Sequence, residues 1–534
     1  AAATSLGVWA EQTNMTISVE KSSFMHLCKK RKHPAVSPVV MNNIEVPEVQ
    51  YTRILGVTVD RRLNFKCHTA SVRRSTQSIL NILKIVGNRM NGGTRKSMLQ
   101  ITNAVLLPKL FFGMSFVNSG SCTNMSSMQP LYNSAVRESS GVFRTSPIES
   151  IMAESGQLPF EHVITLNVLT KAVRMTEKIS RIFPLSTANE LTTGISFPSI
   201  DRAVAAFTKL TGNPVPKIAP VHRIADRAWN AKGPNIDWCI KSQYKVGDTK
   251  TKAQQLYLAA CATKYVAHKH IFTDGSVTHL HVGFGITCDD INISRKLPNE
   301  CSIFSAEAMA ILYAVTHLCS ANSDAVIFTD SASVLQALQN GQTHHPWVQA
   351  IEEEIANKAV SFCWIPGYAG IAGNEKADAL AKAETVAETT ETEYNNERIS
   401  EIPSEDVIRS CKTKIHEAWG LKWSNNTSFL RSIKSSILKW PDRQNATERR
   451  AVSRLRIGHT RLTHQHIFNH ESNRCRACGE AVTVPHILLD CRAYEVQRQE
   501  AGLGSTIGDI LSPNESDEKK LVKFLRETNL LNLL

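Results

Sequence analysis

Two stretches of the chain, HIFTDGS around Asp274 and VIFTDSAS around Asp330, each carry an apolar run into Phe-Thr-Asp and then a small polar residue. Such a run reads as a buried strand, and the carboxylate at its end reads as a group delivered to the edge of a sheet. The neighbouring residues extend the pattern. KHIFTDGS is expected to be a strand ending at Asp274, with HLHVGFGITC and INISRKL as the second and third strands. The glycines of HVGFGITC thin that strand where another backbone can pass close. SIFSAEAMAILYAVTHLC has helical spacing, with Ser305 as candidate cap and Glu307 in the first turn. DAVIFTD is a buried-type strand ending at Asp330, SASVLQAL begins a helix, and AVSFCWIP is a further strand. GNEKADALAKA is a helix with Asn374 or Gly373 as its cap and Asp378 in its second turn. The fold class is α/β, a mixed sheet with flanking helices.

In such sheets ligands gather beyond the strand ends. Asp274 and Asp330 lie at two of those ends, and Glu307 and Asp378 lie on helices that can reach the same place. Four carboxylates on one spot repel one another unless cations are present. Mg²⁺ prefers oxygen ligands, and two such ions about 4 Å apart can activate water and stabilise a leaving oxygen. Taken singly, an Asp after a strand is more often a turn former or a cap, and Asp378 can pair with Lys382 one turn on. The ordered set of four favours the ligand reading over an internal repeat.

The order TDGS, SAEAMAI, FTDSASVLQAL and WIPGYAGIAGNEKADALAK resembles the ribonuclease H family over residues 268–386. The resemblance implies a five-stranded mixed sheet with flanking helices. It also implies cleavage of the RNA strand of RNA/DNA hybrids with two Mg²⁺ ions, or Mn²⁺ in their place. It carries the roles of catalytic residue and metal ligand onto Asp274, Glu307, Asp330 and Asp378. One departure stands in PGYAGIAGNE, where Tyr368 occupies a loop position at which the family commonly has His; Tyr368 and Asn374 are then the candidate substrate-loop residues. A phenol with pKa near 10 moves protons poorly at neutral pH, so slower turnover is expected. The alternative is a catalytically inert nucleic-acid-binding remnant. QNGQTHHPWVQAIEEEI has no Lys or Arg, so the basic helical handle of some ribonucleases H is absent and hybrid binding must use other regions.

A chain of 534 residues suggests two to four domains. The net charge is +13, with basic first and last parts around an acidic middle, as expected when flanking segments grip a polyanion and the middle binds cations. A solvated basic surface would give the same balance. The 13 cysteines are mostly scattered singly, which suits a reducing, intracellular setting; nucleus and cytoplasm are not distinguished. One cluster stands out, CRACGEAVTVPHILLDC, with Cys475, Cys478, His486 and Cys491 at a spacing that favours a structural Zn²⁺. Upstream, His459, His464, His466 and His470 are rival ligands but are expected to be surface or packing residues.

The remaining segments extend the resemblance to the C-terminal part of a Jockey-like non-long-terminal-repeat retrotransposon polyprotein. It implies a reverse-transcriptase palm end and thumb over 1–185, with MTISVEKSSFMHL and YTRILGVTVDRRLNF as β segments before helices. Lys21 falls in what resembles a late palm motif, and ILGV at 54–57 resembles the primer grip. A connection (186–265), the ribonuclease H domain (266–386) and an acidic linker (387–402) follow. A helical C-terminal region with a Cys/His zinc knuckle occupies 403–534. The aromatic-x-Asp-Asp pair of a polymerase is missing; Asp289 and Asp290 lie inside the sheet as an expected hairpin turn, so no polymerase activity is expected. The N-terminus reads as a fragment boundary without a signal peptide, and no stretch is apolar enough for a membrane span. The expected partners are RNA/DNA hybrids and single-stranded RNA or DNA, without a membrane; the oligomeric state is left open.

Overall fold

The structure is a computed structural model that describes residues 2–28, 30, 37–41, 44–87, 92–114, 125–182, 198–221, 233–245, 247–278, 281–341, 343–384, 393–394, 397–441, 445–464 and 472–534. The chain divides into two compact units, one of residues 1–168, 197–203 and 415–534, the other of 169–196 and 204–414.

The second unit holds a six-stranded sheet made of β1 (Asn235–Asp237), β2 (Lys269–Val277), β3 (Val282–Cys288), β4 (Ile291–Leu297), β5 (Ala325–Thr329) and β6 (Val360–Trp364). Their order is β1-β6-β5-β2-β3-β4. The first four in that order run parallel, while β2, β3 and β4 form an antiparallel meander. Helices α1 (Lys250–Thr263), α2 (Ile303–Leu318), α3 (Ala332–Asn340), α4 (Pro346–Ile355) and α5 (Ala372–Glu384) flank it. Every residue of β3 and β5 is buried, as strands covered on both faces require. Phe272 and Phe328, on adjacent strands, stack with ring centroids 5.1 Å apart, and Tyr257 of α1 meets Phe328 edge-on at 5.2 Å.

Glycine sets how closely the helices approach. A Cβ on Gly275 would lie 2.8 Å from the Glu307 amide nitrogen, so only glycine lets α2 seat its first turn on β2. A Cβ on Gly285 would collide with the Ala377 carbonyl oxygen and the Ala381 amide, backbone atoms of α5. Gly275 thus seats the helix bearing Glu307 on β2, which carries Asp274, and Gly285 seats the helix bearing Asp378 on the adjacent β3.

Several details differ from the sequence expectation. The sheet has a sixth strand, β1, whose three residues Asn-Ile-Asp are too short to carry a periodic signal. Residues 235–263, expected as connection, supply that strand and α1. Asp274 lies within the nine-residue β2 and not at its end. Ser302, not Ser305, caps α2, accepting from the Ser305 amide at 3.2 Å. Helix α5 begins at Ala372, so Gly373 and Asn374 lie inside its first turn. Part of the acidic linker (387–392, 395–396) lies outside the described residues, but Glu401–Ile402 pairs with Lys217–Ile218, and residues up to 414 group with the sheet. The Asp289–Asp290 turn between β3 and β4 is as expected.

The other unit joins the two ends of the chain. Helix Lys66–Val86 buries His68, Val72, Thr76, Leu80 and Leu83 at helical spacing and leaves Arg73 and Arg74 exposed, so its basic face is solvated. YTRILGVTVD forms a hairpin, Tyr51–Ile54 with Val57–Asp60. MTISVEKSSFMHL does not become a strand: Phe24 alone finds a bridge, to Glu48, because an alternating segment needs an edge to pair with. Buried ion pairs tie the halves together. Glu154 accepts from Arg95 at 3.2 Å and lies 3.6 Å from Arg456, which bonds Glu518 at 2.7 Å. Arg95 also donates to the Ser453 hydroxyl. The core around helices Ala446–Ile457 and Glu515–Glu527 contains Val452, Leu455, Leu488, Leu521, Phe524 and Leu525. Among the described residues no helix is long and apolar enough to cross a membrane.

Gly285→Val tests the close approach. Backbone atoms of α5 cannot yield as a side chain would, so the variant should lose about 3 kcal/mol in urea unfolding. A change under about 0.5 kcal/mol would contradict the proposed seating of α5.

Candidate active site

The register of β2 and β5 places two carboxylates side by side. Phe272 pairs with Phe328 and Thr273 with Thr329, so Asp274 and Asp330 are the next residues on adjacent parallel strands. The two FTD stretches are thus neighbours in space. Glu307 enters from the first turns of α2, which Gly275 seats on β2. One oxygen from each of Asp274, Glu307 and Asp330 lies within 4.8 Å of the others. Asp274 and Glu307 are buried and Asp330 is half-buried.

Burial, then the Asp330 charge, pushes Asp274 up to about 7. Burial, then the charges of Asp274 and Asp330, raises Glu307 well above the usual carboxylate range. A side-chain interaction between the two adds to the rise at Glu307 and opposes it at Asp274. Burial also raises Asp330, against a hydrogen bond from Asn374. Without a cation, three carboxyl groups at this separation can hold only part of their charge.

The fourth expected ligand is placed differently. Asp378, in α5, accepts from Lys382 at 2.6 Å and is not in the group of three. Its charge still reaches Asp274 and Asp330 and raises both. The Lys382 ammonium also lies 5.4 Å from the Tyr368 ring centroid. Tyr368 is 71% exposed and has φ 54, a left-handed backbone that costs a non-glycine residue energy. Asn374 is buried against Asp330 instead of capping α5.

Contacts that local spacing cannot reveal support these groups. Ser305 donates to Asp406 at 2.5 Å and bonds His345 at 3.0 Å, anchoring the start of α2 two residues before Glu307. Burial pushes His345 down to about 4, so the imidazole is neutral at pH 7. Trp364 donates from Nε1 to the Asp330 carbonyl at 3.0 Å. Gln254 of α1 donates to the Gly370 carbonyl at 2.8 Å, holding the loop that carries Tyr368. Each partner is distant in sequence and carries no motif.

A second cluster forms in the other unit. Cys475, Cys478, His486 and Cys491 place one ligand atom each within 4.8 Å of one another. Cys491 Sγ is 3.8 Å from Cys475 Sγ and 3.8 Å from Cys478 Sγ. A tetrahedral Zn²⁺ with bonds of about 2.3 Å sets sulfur–sulfur edges of about 3.8 Å; a disulfide would need about 2.05 Å. The neighbouring His486 imidazole is the main cause that holds the Cys475 thiol down at about 6, while burial pushes Cys491 up to about 11. Gly479, at φ 73, makes the turn after the first pair. His459 bonds Thr145 at 2.7 Å and its ring lies against that of His464, tilted with centroids 3.7 Å apart, and neither joins the cluster; His466 and His470 lie outside the described residues.

A protein-family model described as RNase H matches residues 267–386. No curated protein matches the chain. The chain contains an RNase H domain, a kind of domain that uses divalent metal and acts as a nuclease on RNA/DNA hybrids.

The raised Asp274 has a pH signature. Its ordinary value is 3.8 and its folded value about 7, so between these the folded chain binds more protons than the unfolded one. Stability attributable to this group therefore falls as pH rises from about 4 to about 7 and stays low above that. Asp274→Asn should be more stable than the parent at pH 8, by on the order of 3 kcal/mol, and the difference should vanish near pH 4. Urea unfolding without divalent metal at both pH values checks it.

Proposed function

We propose that the protein is a divalent-metal-dependent endonuclease that cleaves the RNA strand of RNA/DNA hybrids, within a retrotransposon-derived polyprotein. The observation that carries the reading is the buried trio Asp274, Glu307 and Asp330, in which Glu307 Oε2 has no hydrogen-bond partner. An all-oxygen donor set with an unsatisfied buried oxygen fits Mg²⁺ or Mn²⁺. Asp274, Glu307 and Asp330 would hold one such ion, and Asp378 would join a second. When bound, the ions would activate water and stabilise the leaving oxygen of a phosphodiester.

The protein's own groups do the positioning. Asn374 fixes Asp330 through its hydrogen bond, and Trp364 fixes the Asp330 backbone. Asp378 would have to give up its Lys382 ammonium to hold a metal. Tyr368 stands exposed where the resemblance leads one to expect a His. The inert nucleic-acid-binding remnant remains as the second reading, and Tyr368 and the Lys382–Asp378 pair are the observations that favour it.

For the Cys/His cluster we propose a structural Zn²⁺. Its ligand His486 is adjacent to Ile487 and Leu488 of the C-terminal core, so metal and core order the same segment.

Two measurements test these proposals. Cleavage of a labelled hybrid with Mg²⁺ should fall at least about 100-fold in Asp330→Asn and rise in Tyr368→His. No cleavage by parent or His variant, with the fold intact, would leave the remnant. Metal analysis should find one Zn²⁺ per chain, lost in Cys478→Ser together with stability of the C-terminal region; a metal-free chain of unchanged stability would remove the zinc proposal.

A further inference from the structure

Residues N-terminal to the strand that carries Asp274 bring an aromatic and a cationic group beside Trp364, whose indole bonds the Asp330 carbonyl. Strand β1 ends at Asp237, and Trp238 caps the short helix Cys239–Gln243. Lys241 of that helix lies over two indoles, its Nζ 4.5 Å from the Trp238 ring centroid and 5.7 Å from that of Trp364. Trp364 is tied to the carboxylate site directly, and Trp238 to the far end of the helix that follows it. Trp364 Nε1 bonds the Asp330 carbonyl at 3.0 Å, and Trp238 Nε1 bonds Gln339 at 3.1 Å, in the helix that follows Asp330. Trp238, Lys241 and Trp364 are all half-buried, so each keeps a solvent-facing surface.

The charge of Lys241 is held without being quenched. Lys252 and Lys264, on the same stretch, are neutralised by Asp248 and Asp237. Among the described residues, the contacts of the Lys241 ammonium are the two ring faces. A ring face orients the lysine stem by its quadrupole and leaves the N–H donors available to an anion. Helices α3 and α4 contain no Lys or Arg, so they offer a polyanion nothing on this side. A nucleic acid seated on the three carboxylates must nevertheless carry its phosphates past Asp330.

We propose that Trp238, Lys241 and Trp364 form a backbone clamp for the hybrid, with Lys241 on a phosphate and the indoles against the adjoining sugars. The clamp rests on the nuclease reading for its substrate, and it takes the place of a basic helix. Phosphate contacts of this kind set register and orientation without reading sequence.

The test uses the full chain and a 2′-O-methyl-RNA/DNA hybrid for binding, with a cleavable hybrid for kinetics. Lys241→Gln should weaken binding about fivefold at physiological salt and reduce the slope of log K against log salt by about one. KM should rise with kcat unchanged, and Lys241→Arg should restore both. Trp238→Leu should weaken binding in the same direction. Unchanged affinity and slope in Lys241→Gln would overturn the clamp. Should the parent bind with a Lys241-dependent slope yet not cleave, the clamp stands and the nuclease reading falls. Should the parent cleave while Lys241→Gln keeps its KM and slope, the clamp falls alone. No binding by the parent overturns both.

Discussion

Mutual repulsion among buried carboxylates is the constraint on which the sheet-bearing unit turns. Asp274, Glu307 and Asp330 lie within 4.8 Å of one another, and burial raises all three. Water would stabilise such groups separately, and a core would exclude them. The fold instead forces them together through strand register and the glycine-seated start of α2. Such an arrangement is a cost to the folded state until a cation arrives. The Lys382 ammonium already supplies one positive charge at the edge, on Asp378.

The motif residues were legible because local rules place them. Apolar runs marked the strands, Phe-Thr-Asp marked two of the carboxylates, and helical spacing marked Glu307 and Asp378. The pairing of Asp378 with Lys382, weighed as the plainer alternative, is what the structure contains. The supporting contacts were not legible. Ser305 with Asp406, Gln254 with Gly370 and Trp238 with Gln339 join residues about 100 positions apart, and no spacing rule reaches that far. Strand β1 escaped for another reason: three residues hold too little pattern to distinguish a strand from a proline-punctuated connection. The segment 15–27 failed in the opposite sense, since its alternation found a single bridge and no full edge.

Long-range order of another kind governs the unit that joins the two ends of the chain. Its first and last segments share a buried chain of charges from Arg95 through Glu154 to Arg456 and Glu518. Removing one member would leave a buried charge without its partner, which is far more costly than the pair is stabilising. The N-terminal helices and the Cys/His region therefore fold as one body, although sequence reading treats them as separate parts. Hydrophobic contacts around Leu488, Leu521 and Phe524 fill the space beside His486, so a metal at the cluster and the core support each other.

The most direct measurement of the central claim is calorimetric titration of the chain with Mn²⁺ at pH 7 in two buffers of different ionisation enthalpy. A cation entering the trio must compete with protons on carboxyl groups that burial and mutual repulsion have raised. The account predicts binding accompanied by proton release, both lost in Asp330→Asn. Binding that releases no proton and survives Asp330→Asn, or no binding at all, would contradict it.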